Sequence, residues 1–323
     1  MNFKKSVVCY AEGSNKIGMG HLYRQLSFYQ NYSHLIDIKF IAKNNIQKDF
    51  YKTFDCKYID ISQVDDLEEF DFGIFDSKED LIDIFSRIKF LSKTWIAIDS
   101  TKKWVKEFDY AIFPSFFSSL ETIPKELHKF NIKLLFGIEY VLTRATHERD
   151  NVNIDFKTLV TFGGTDPNNL TELLANIVTK RLDRKDFIFL IGPYFKRNKI
   201  YFENKFNKLN FLSPVNSTRN LINKSNCVIT SLGTTLQECE FFSKNTILIT
   251  NYLSDEDDAQ QLNKHSINNG IFYHLGHFSN INENDFNKIY NKYSKNYNYA
   301  YNCKNYVSST WGAGWDNLLE INK

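Results

Sequence analysis

Residues 6–29, SVVCYAEGSNKIGMGHLYRQLSFY, decide the fold class, because a buried strand, a glycine-containing turn and a helix follow one another there. The first six residues are mostly apolar and include β-branched and aromatic side chains, which favours a strand. The apolar spacing that begins at Leu22 is typical of an amphipathic helix. Gly13, Gly18 and Gly20 lie in the turn between them, where a parallel sheet opens its ligand site.

The same alternation of short apolar runs and helical spacing continues through the first half of the chain. The further strand candidates are IDIKFIA, CKYIDI, DFGIFD, TWIAID, YAIFP and KLLFGIEYVL. Helical spacing is found over residues 22–29, 79–91 and 122–130. Strands that alternate with helices along a chain predict a parallel sheet covered on both faces.

A polar segment at residues 147–155, HERDNVNID, separates this half from a second half with the same pattern. Its strand candidates are TLVTFGG, DFIFLIG, LNFLSPV, NCVITS and NTILIT, and helices are expected over 169–181, 218–224 and 235–242. Residues 279–306 are rich in Asn and Tyr and look least structured, although the apolar spacing near their start can hold a helix.

A chain of 323 residues exceeds the usual size of one hydrophobic core. We therefore expect an α/β protein with two Rossmann-like, doubly wound domains that face a central cleft. The expected domains are residues 1–150 and residues 151–323, and residues 308–323 are expected to form a helix that returns to the first domain.

Composition excludes several classes of protein. Forty Lys and Arg against 38 Asp and Glu give a net charge of +2, without the basic surface that a nucleic-acid-binding protein needs. The five cysteines are scattered, which indicates neither disulfides nor a zinc site and favours a reducing compartment. The start does not resemble a secretory signal, and no run is long and apolar enough to span a membrane. We expect a cytoplasmic protein without a transmembrane segment.

The first turn carries a candidate general base. Backbone N–H groups at the start of the helix near His21 favour an anion or an oxygen that develops negative charge. A neutral imidazole can accept a proton there, although a lone histidine is more often a surface residue or a hydrogen-bonded core residue. The turn does not match G-x-G-x-x-G, because the third glycine position is occupied by Tyr23.

A second turn follows the strand LVTF. Gly163 and Gly164 let the backbone approach a phosphate closely, and the Thr165 hydroxyl can donate to its oxygens. The alternative is a tight turn capped by Asp166, with Pro167 at the first helical position. Both can hold together, and no P-loop signature follows.

A third turn, TSLGTTLQE, repeats the arrangement of strand, small residues and helix. Ser231, Gly233, Thr234 and Thr235 offer hydroxyl and backbone donors to a diphosphate. Glu238, one helical turn later, can accept hydrogen bonds from two ribose hydroxyls. The competing interpretation of Glu238 is a capping-box partner.

Together these motifs resemble a known family. GSNKIGMGHLYR, FDFGIFDS with Asp76, TWIAIDS with Asp99, LLFGIEYVL, VTFGGTDPNN and TSLGTTLQE occur in the expected order over about residues 5–275. The set resembles the UDP-sugar hydrolases of pseudaminic acid biosynthesis and their spore-coat polysaccharide relatives, which have a GT-B fold.

The resemblance implies cleavage of the anomeric C–O bond of a UDP-linked 2,4-diacetamido-2,4,6-trideoxy sugar. His21 would activate water, the second domain would hold the nucleotide, and neither a metal nor another cofactor would be needed. The residues that would contact the sugar are Gly18, Gly20, Arg24, Tyr140 and Gln260. For Arg24, one helical turn after His21, a largely structural or indirect role is the alternative.

The chain departs from the family at three positions. Ala259 stands where the family usually has Asn, Ser100 replaces the second of two paired aspartates, and Glu12 lies near the place of the usual first-loop Asp. These changes keep two other functions open. One is a GT-B glycosyltransferase that passes a UDP- or CMP-activated sugar to a glycan acceptor. The other is a non-catalytic protein that binds a nucleotide sugar.

Overall fold

The computed structural model describes residues 4–14, 17–114, 123–142, 156–181, 183–215, 218–242, 244–269, 272–294 and 312–321. The chain divides into two compact units. Unit 1 comprises residues 1–144 and 309–323, and unit 2 comprises residues 145–308. The sequence placed the domain boundary at residue 150, within the segment 147–155 that lies outside the described residues.

Within the described part of unit 1, seven strands form one parallel sheet in the order β3-β2-β1-β4-β5-β6-β7. The strands are β1 Ser6–Ala11, β2 Asp37–Ala42, β3 Tyr58–Asp60, β4 Phe72–Asp76, β5 Trp95–Ile98, β6 Tyr110–Phe113 and β7 Lys133–Phe136. Each strand lies within the apolar run that predicted it. Central strands of a sheet covered on both faces are apolar throughout, and all four residues of β5 are buried.

Helices connect these strands, as the sequence predicts. They are α1 Gly20–Tyr32, α2 Asn45–Thr53 and α3 Ile82–Ile88. Short 3-10 helices occupy Ile61–Asp66, Lys89–Leu91, Lys103–Glu107, Leu127–Lys129 and Ile138–Tyr140. Asn44 and Gln47 form a capping box that sets the start of α2. The helix predicted over 122–130 is wrong, because within residues 123–130 only one 3-10 turn forms, after Pro124.

Unit 2 contains a second parallel sheet, which in the described residues has six strands in the order β10-β9-β8-β11-β12-β13. They are β8 Phe156–Val160, β9 Phe187–Leu190, β10 Asn210–Leu212, β11 Ser225–Thr230, β12 Asn245–Thr250 and β13 Phe272–His277. The sequence did not predict β13, whose run FYHLGH has a glycine and two histidines among its apolar residues.

The helices of unit 2 are α4 Leu170–Val178, α5 Lys199–Lys205, α6 Arg219–Lys224, α7 Thr234–Phe241, α8 Glu256–Asn269 and α9 Glu283–Tyr293. Single 3-10 turns occupy Arg184–Asp186, Leu253–Asp255 and Phe278–Asn280. The helical spacing noticed near residue 279 corresponds to α9, which buries Phe286 and Tyr290 in the core of unit 2.

The last helix of the chain, α10 Gly314–Leu318, belongs to unit 1. The Trp315 indole is fully buried, donates to the Tyr140 carbonyl at 2.9 Å and lies against Phe28 of α1. The Tyr32 hydroxyl donates to the Asp316 carboxylate at 2.9 Å. The end of the chain is thus tied to the first helix and to the segment after β7.

Each sheet has one topological switch point, where chain connections leave in opposite directions. It lies between β1 and β4 in unit 1 and between β8 and β11 in unit 2. Open α/β sheets bind ligands outside the carboxyl ends of the strands at such points. Among the residues described, no helix is both long and apolar enough to cross a membrane.

Candidate active site

Two side chains meet at the switch point of unit 1. β4 ends at Asp76, which pairs in register with Ala11 at the end of β1. The turn after β1 leads into α1, whose second residue is His21. His21 Nδ1 lies 2.6 Å from Asp76 Oδ1. The strand order therefore joins a histidine and an aspartate that are 55 positions apart in the sequence.

This short contact assigns the proton positions on the imidazole. An ionised carboxylate can only accept, so we assign the Nδ1 proton of His21 as donated to Asp76, and Nε2 is then the acceptor nitrogen of the neutral ring. The His21 side chain is 11% exposed, which leaves part of the ring accessible. The arrangement orients a base that can take a proton from a bound hydroxyl group or water.

Arg24 holds Asp76 from the next turn of α1. Its Nε donates to Asp76 Oδ2 at 2.8 Å and its Nη2 donates to Oδ1 at 2.6 Å, while Gln25 Nε2 donates to Oδ2 at 3.2 Å. Burial disfavours the charged carboxylate. The charge of Arg24 and the hydrogen bonds that Arg24 and His21 donate outweigh burial and hold the pKa of Asp76 well below its usual value.

The burial of Arg24 bears on its predicted role. The residue is only 5% exposed, and its three guanidinium nitrogens lie on carboxylates, two at Asp76 and one at Asp99. This geometry matches the indirect role weighed from the sequence, in which Arg24 positions other site residues.

The glycines of the first turn shape the approach to α1. Gly18 has φ 93° and exchanges two backbone hydrogen bonds with Ser14, which closes the turn. Gly20 is the first residue of α1, and, apart from its chain neighbours and the helix backbone, no heavy atom of the described residues lies within 4 Å of the position of an added Cβ. The side chain of the N-cap residue Met19 accepts no hydrogen bond from the first N–H groups of α1.

Tyr140, the other predicted sugar contact of unit 1, ends the 3-10 helix that follows β7. Its ring lies against Gly314, where an added Cβ would come within 2.6 Å of Tyr140 Cε1. Burial raises the pKa of the Tyr140 phenol. The described contacts of Tyr140 are with the C-terminal helix, and its role towards a sugar stays a prediction.

The switch point of unit 2 brings together the second and third glycine-containing turns. One turn, with Gly163, Gly164 and Thr165, follows β8, and the other, with Ser231 and Gly233, follows the neighbouring strand β11. The Thr161 N–H continues the ladder by donating to the Ile229 carbonyl at 3.0 Å. The predicted nucleotide-binding turns are thus adjacent at one edge of one sheet.

A third glycine supports the turn after β8. Gly192 lies in the loop after β9, and an added Cβ there would lie 2.4 Å from the Gly163 carbonyl oxygen and 2.6 Å from that of Gly164. Tyr194 N–H also donates to the Gly164 carbonyl at 2.9 Å. Gly163 itself has φ 72°, which glycine adopts without strain.

Asp166 caps α4, but it lies four residues before the first helical residue, Leu170, and not directly before the helix. Its Oδ1 accepts from Leu170 N–H at 2.8 Å and its Oδ2 from Thr171 N–H at 2.9 Å. The prediction that Pro167 is the first helical residue is wrong, because α4 begins at Leu170. Asn169, whose backbone is in the left-handed conformation, is the N-cap residue of α4, so the loop after β8 extends to residue 169.

Glu238 is buried in α7, with 2% exposure, and its Oε2 accepts a hydrogen bond from the Thr218 hydroxyl at 2.5 Å. Gly233 is the N-cap of α7, so the third helical residue, which a capping box would use, is Leu236. The capping-box interpretation of Glu238 is therefore wrong. Thr234 and Thr235 are the first two residues of the same helix, next to the turn.

The family position at Ala259 lies in the first half of α8, which follows β12. Ala259 is buried and Gln260 is exposed, so only Gln260 presents its side chain to solvent. Before α8, the Asn251 carbonyl accepts from Asn168 Nδ2 at 2.9 Å and links the loops after β12 and β8.

Sequence reasoning missed the part that distant residues play in the site. Asp76 and Asp99 were noticed as motif positions, but their contact with Arg24 depends on strand order. Gly192 was counted as the end of a strand, and its packing on the glycine turn has no sequence signal. Among the residues that the structure describes, no group of three or more His, Cys, Asp or Glu side chains is placed to hold a metal ion.

No protein-family model and no curated protein matches the sequence. Solved structures match over almost the whole chain. LpCGTa in complex with UDP has a TM-score of 0.66 at 10% identity, covering 98% of both chains. The glycotransferase of kitacinnamycin has a TM-score of 0.64 at 9% identity, covering 98% of this chain and 99% of its own. MurG of Acinetobacter baumannii has a TM-score of 0.62 at 10% identity, covering 98% and 100%.

Identities this low establish the fold alone. The chain contains two parallel sheets with interleaved helices, and these neighbours cover 98% of it. The predicted fold class is confirmed, and the chain has a two-domain α/β GT-B fold.

Proposed function

We propose that this protein is an enzyme that breaks the anomeric C–O bond of a nucleotide sugar. The observation that carries the proposal is the His21–Asp76 contact of 2.6 Å at the switch point of unit 1. An oriented imidazole at a ligand-binding edge can act as a general base towards a bound hydroxyl group or water.

In the proposed reaction, His21 Nε2 takes a proton from the attacking oxygen as that oxygen bonds to the anomeric carbon. The bond between this carbon and the diphosphate oxygen breaks, and its electron pair leaves with the nucleoside diphosphate. Asp76 stabilises the imidazolium that forms, because its carboxylate accepts from Nδ1 at 2.6 Å. Arg24 keeps Asp76 ionised and in place.

The nucleotide is assigned to unit 2. Gly163, Gly164 and Thr165 and the start of α7 offer backbone and hydroxyl donors to a diphosphate at the β8/β11 switch point. The neighbour LpCGTa was solved with UDP, which supports a uridine nucleotide as the first ligand to test. Glu238 is proposed to accept from the ribose hydroxyls.

Water is the nucleophile in our leading proposal, with a UDP-linked 2,4-diacetamido-2,4,6-trideoxy sugar as substrate, on the strength of the resemblance in the sequence. The second candidate is a glycosyltransferase in which His21 activates an acceptor hydroxyl. The structural neighbours favour this candidate, since a glycotransferase is among them. Both candidates need the same base, because water and a sugar hydroxyl each give up a proton as they attack.

The test is UDP release by the purified chain from a panel of UDP-sugars, with and without glycan acceptors. Release without acceptor, at enzymatic turnover, supports the hydrolase. Release only with acceptor supports the transferase. Binding by calorimetry without release under either condition would overturn the enzymatic proposal and leave a binding protein.

A further inference from the structure

Asp99 is a carboxylate at the ligand edge of unit 1 that the proposed mechanism does not use. Asp99 follows β5, and its N–H donates to the Ile112 carbonyl at 2.8 Å, so its backbone is part of the sheet. Its φ of 56° is left-handed, a conformation that costs a non-glycine residue free energy and that recurs at functional sites. The turn directs the carboxylate to the Arg24 side of the network.

Only one oxygen of Asp99 is engaged. Oδ2 lies 3.4 Å from Arg24 Nη1 and 3.5 Å from Lys78 Nζ. Within the described residues, Oδ1 accepts no hydrogen bond, and the side chain is 32% exposed. Burial disfavours the charge of Asp99, but the charges of Lys78 and Arg24 lower its pKa overall. Asp99 therefore presents an ionised acceptor at the ligand edge.

One side chain, that of Arg24, lies between Asp99 and the proposed base His21. Arg24 Nη2 lies 3.1 Å from His21 Nδ1, and Nη1 of the same guanidinium contacts Asp99. Asp99, which follows β5, and His21, which follows the turn after β1, thus lie at the same carboxyl edge of the sheet. The adjacent Ser100 hydroxyl is buried without a hydrogen-bond partner in the described part of the chain, and such orphaned groups usually await a water or a ligand.

We propose that Asp99 recognises the sugar, its Oδ1 accepting a hydrogen bond from a ring hydroxyl or an acylamino N–H of the substrate. This inference rests on the proposed function and adds a specificity residue to it. A charged acceptor discriminates strongly between sugars with and without the matching donor, because a sugar that lacks the donor leaves the carboxylate desolvated and unpaired.

The experiment uses a UDP-hexose that the wild-type protein turns over, and a series of analogues in which one hydroxyl or acylamino group at a time is replaced by hydrogen. Asp99→Ala and Asp99→Asn are compared with Asp83→Asn, which removes an exposed carboxylate of α3. We measure kcat/KM for every pair of variant and analogue.

We expect Asp99→Ala to lose about 10- to 150-fold on the parent sugar, the range of a lost charge-assisted hydrogen bond. On one analogue, the one without the bonded donor, the loss should shrink to about threefold or less. Asp99→Asn keeps an acceptor oxygen and should lose less than Asp99→Ala, and Asp83→Asn should match the wild type.

Equal losses on the parent and on all analogues would overturn the inference, because a structural role of Asp99 beside Arg24 does not depend on the sugar. That result would leave the proposed function intact, since the wild-type protein still turns over. Failure of the wild-type protein to bind or turn over any nucleotide sugar would instead overturn the proposed function and the inference together.

Discussion

The ligand edges of the two sheets share a topology and differ in chemistry. At the β1/β4 edge, charged side chains from three elements contact one another, with Asp76 fully buried between His21 and Arg24. At the β8/β11 edge, the corresponding turns are rich in glycines and hydroxyl residues, and the buried Glu238 accepts from the Thr218 hydroxyl.

This difference shows how one backbone arrangement serves two tasks. Fixed, paired charges orient a base for proton transfer, whereas small residues let backbone N–H groups approach an anion. We therefore expect substitutions at the first edge to reduce turnover and stability. Substitutions at the second edge should weaken nucleotide binding.

The largest effect is expected for His21→Ala. Loss of a general base typically lowers turnover about 10²- to 10⁴-fold. The control is His34→Ala, which removes an exposed histidine just after α1. Steady-state kinetics with thermal melting checks both variants. A folded His21→Ala variant with wild-type turnover would remove His21 from the mechanism.

Asp76→Asn should destabilise the fold by about 3 to 5 kcal/mol at pH 7, because Arg24 is left buried with part of its compensation removed. The pKa of Asp76 is lowered in the folded state, so its contribution is present above the unfolded pKa of about 3.9 and is lost as the pH falls below that value. The stability gap between wild type and variant should therefore narrow in acid.

Urea unfolding of both proteins at pH 7, 5, 4 and 3 measures this gap. The wild-type protein should lose stability more steeply below about pH 4 than Asp76→Asn, which has no carboxylate to protonate at this position. A gap that stays constant across the series would show that the folded structure does not stabilise the charge of Asp76.

Glu238→Ala should weaken UDP binding about 10- to 150-fold if the carboxylate accepts from ribose. Glu238→Gln keeps one acceptor oxygen and should lose less. Thr218→Val is the matched control, because it removes the Thr218 hydrogen bond and leaves the carboxylate. Calorimetry with UDP measures the affinity of each folded variant. An unchanged affinity in Glu238→Ala would exclude the ribose assignment.

Gly192→Ala tests the glycine turn without touching a proposed ligand contact. The added Cβ would meet the carbonyl oxygens of Gly163 and Gly164, so we expect a loss of about 1 to 3 kcal/mol in stability and weaker UDP binding. In Gly20→Ala the added methyl meets no neighbouring side chain of the described residues, and the stability should be unchanged or slightly higher. Equal stability of the two variants would contradict the packing of Gly192 on the turn.

Most of the fold could be predicted because its signals are local. Apolar runs located twelve of the described strands, and β13 was missed because Gly276 and two histidines interrupt its pattern. The helix predicted at 122–130 was wrong, because apolar spacing alone does not specify a helix. Only a 3-10 turn forms there, after Pro124. The start of α4 was misplaced because Asp166 caps across a longer loop than a simple N-cap uses.

The site was less predictable because its contacts are between distant residues. The position of His21 after a glycine-containing turn is a local signal, and it made this residue a candidate. Its partner Asp76 is set by β1 and β4 being neighbours, which the sequence alone does not specify. The left-handed backbone of Asp99 and the packing of Gly192 depend on tertiary structure in the same way.

The most direct test of the central claim is the fate of oxygen during turnover in H₂¹⁸O. A free sugar exchanges its anomeric oxygen with water, so the released UDP is the species to analyse by mass spectrometry. Attack at the anomeric carbon, with His21 as base, predicts UDP without ¹⁸O, released at least a hundredfold more slowly by His21→Ala. UDP that carries ¹⁸O in its terminal phosphate would show attack at phosphorus and contradict the account.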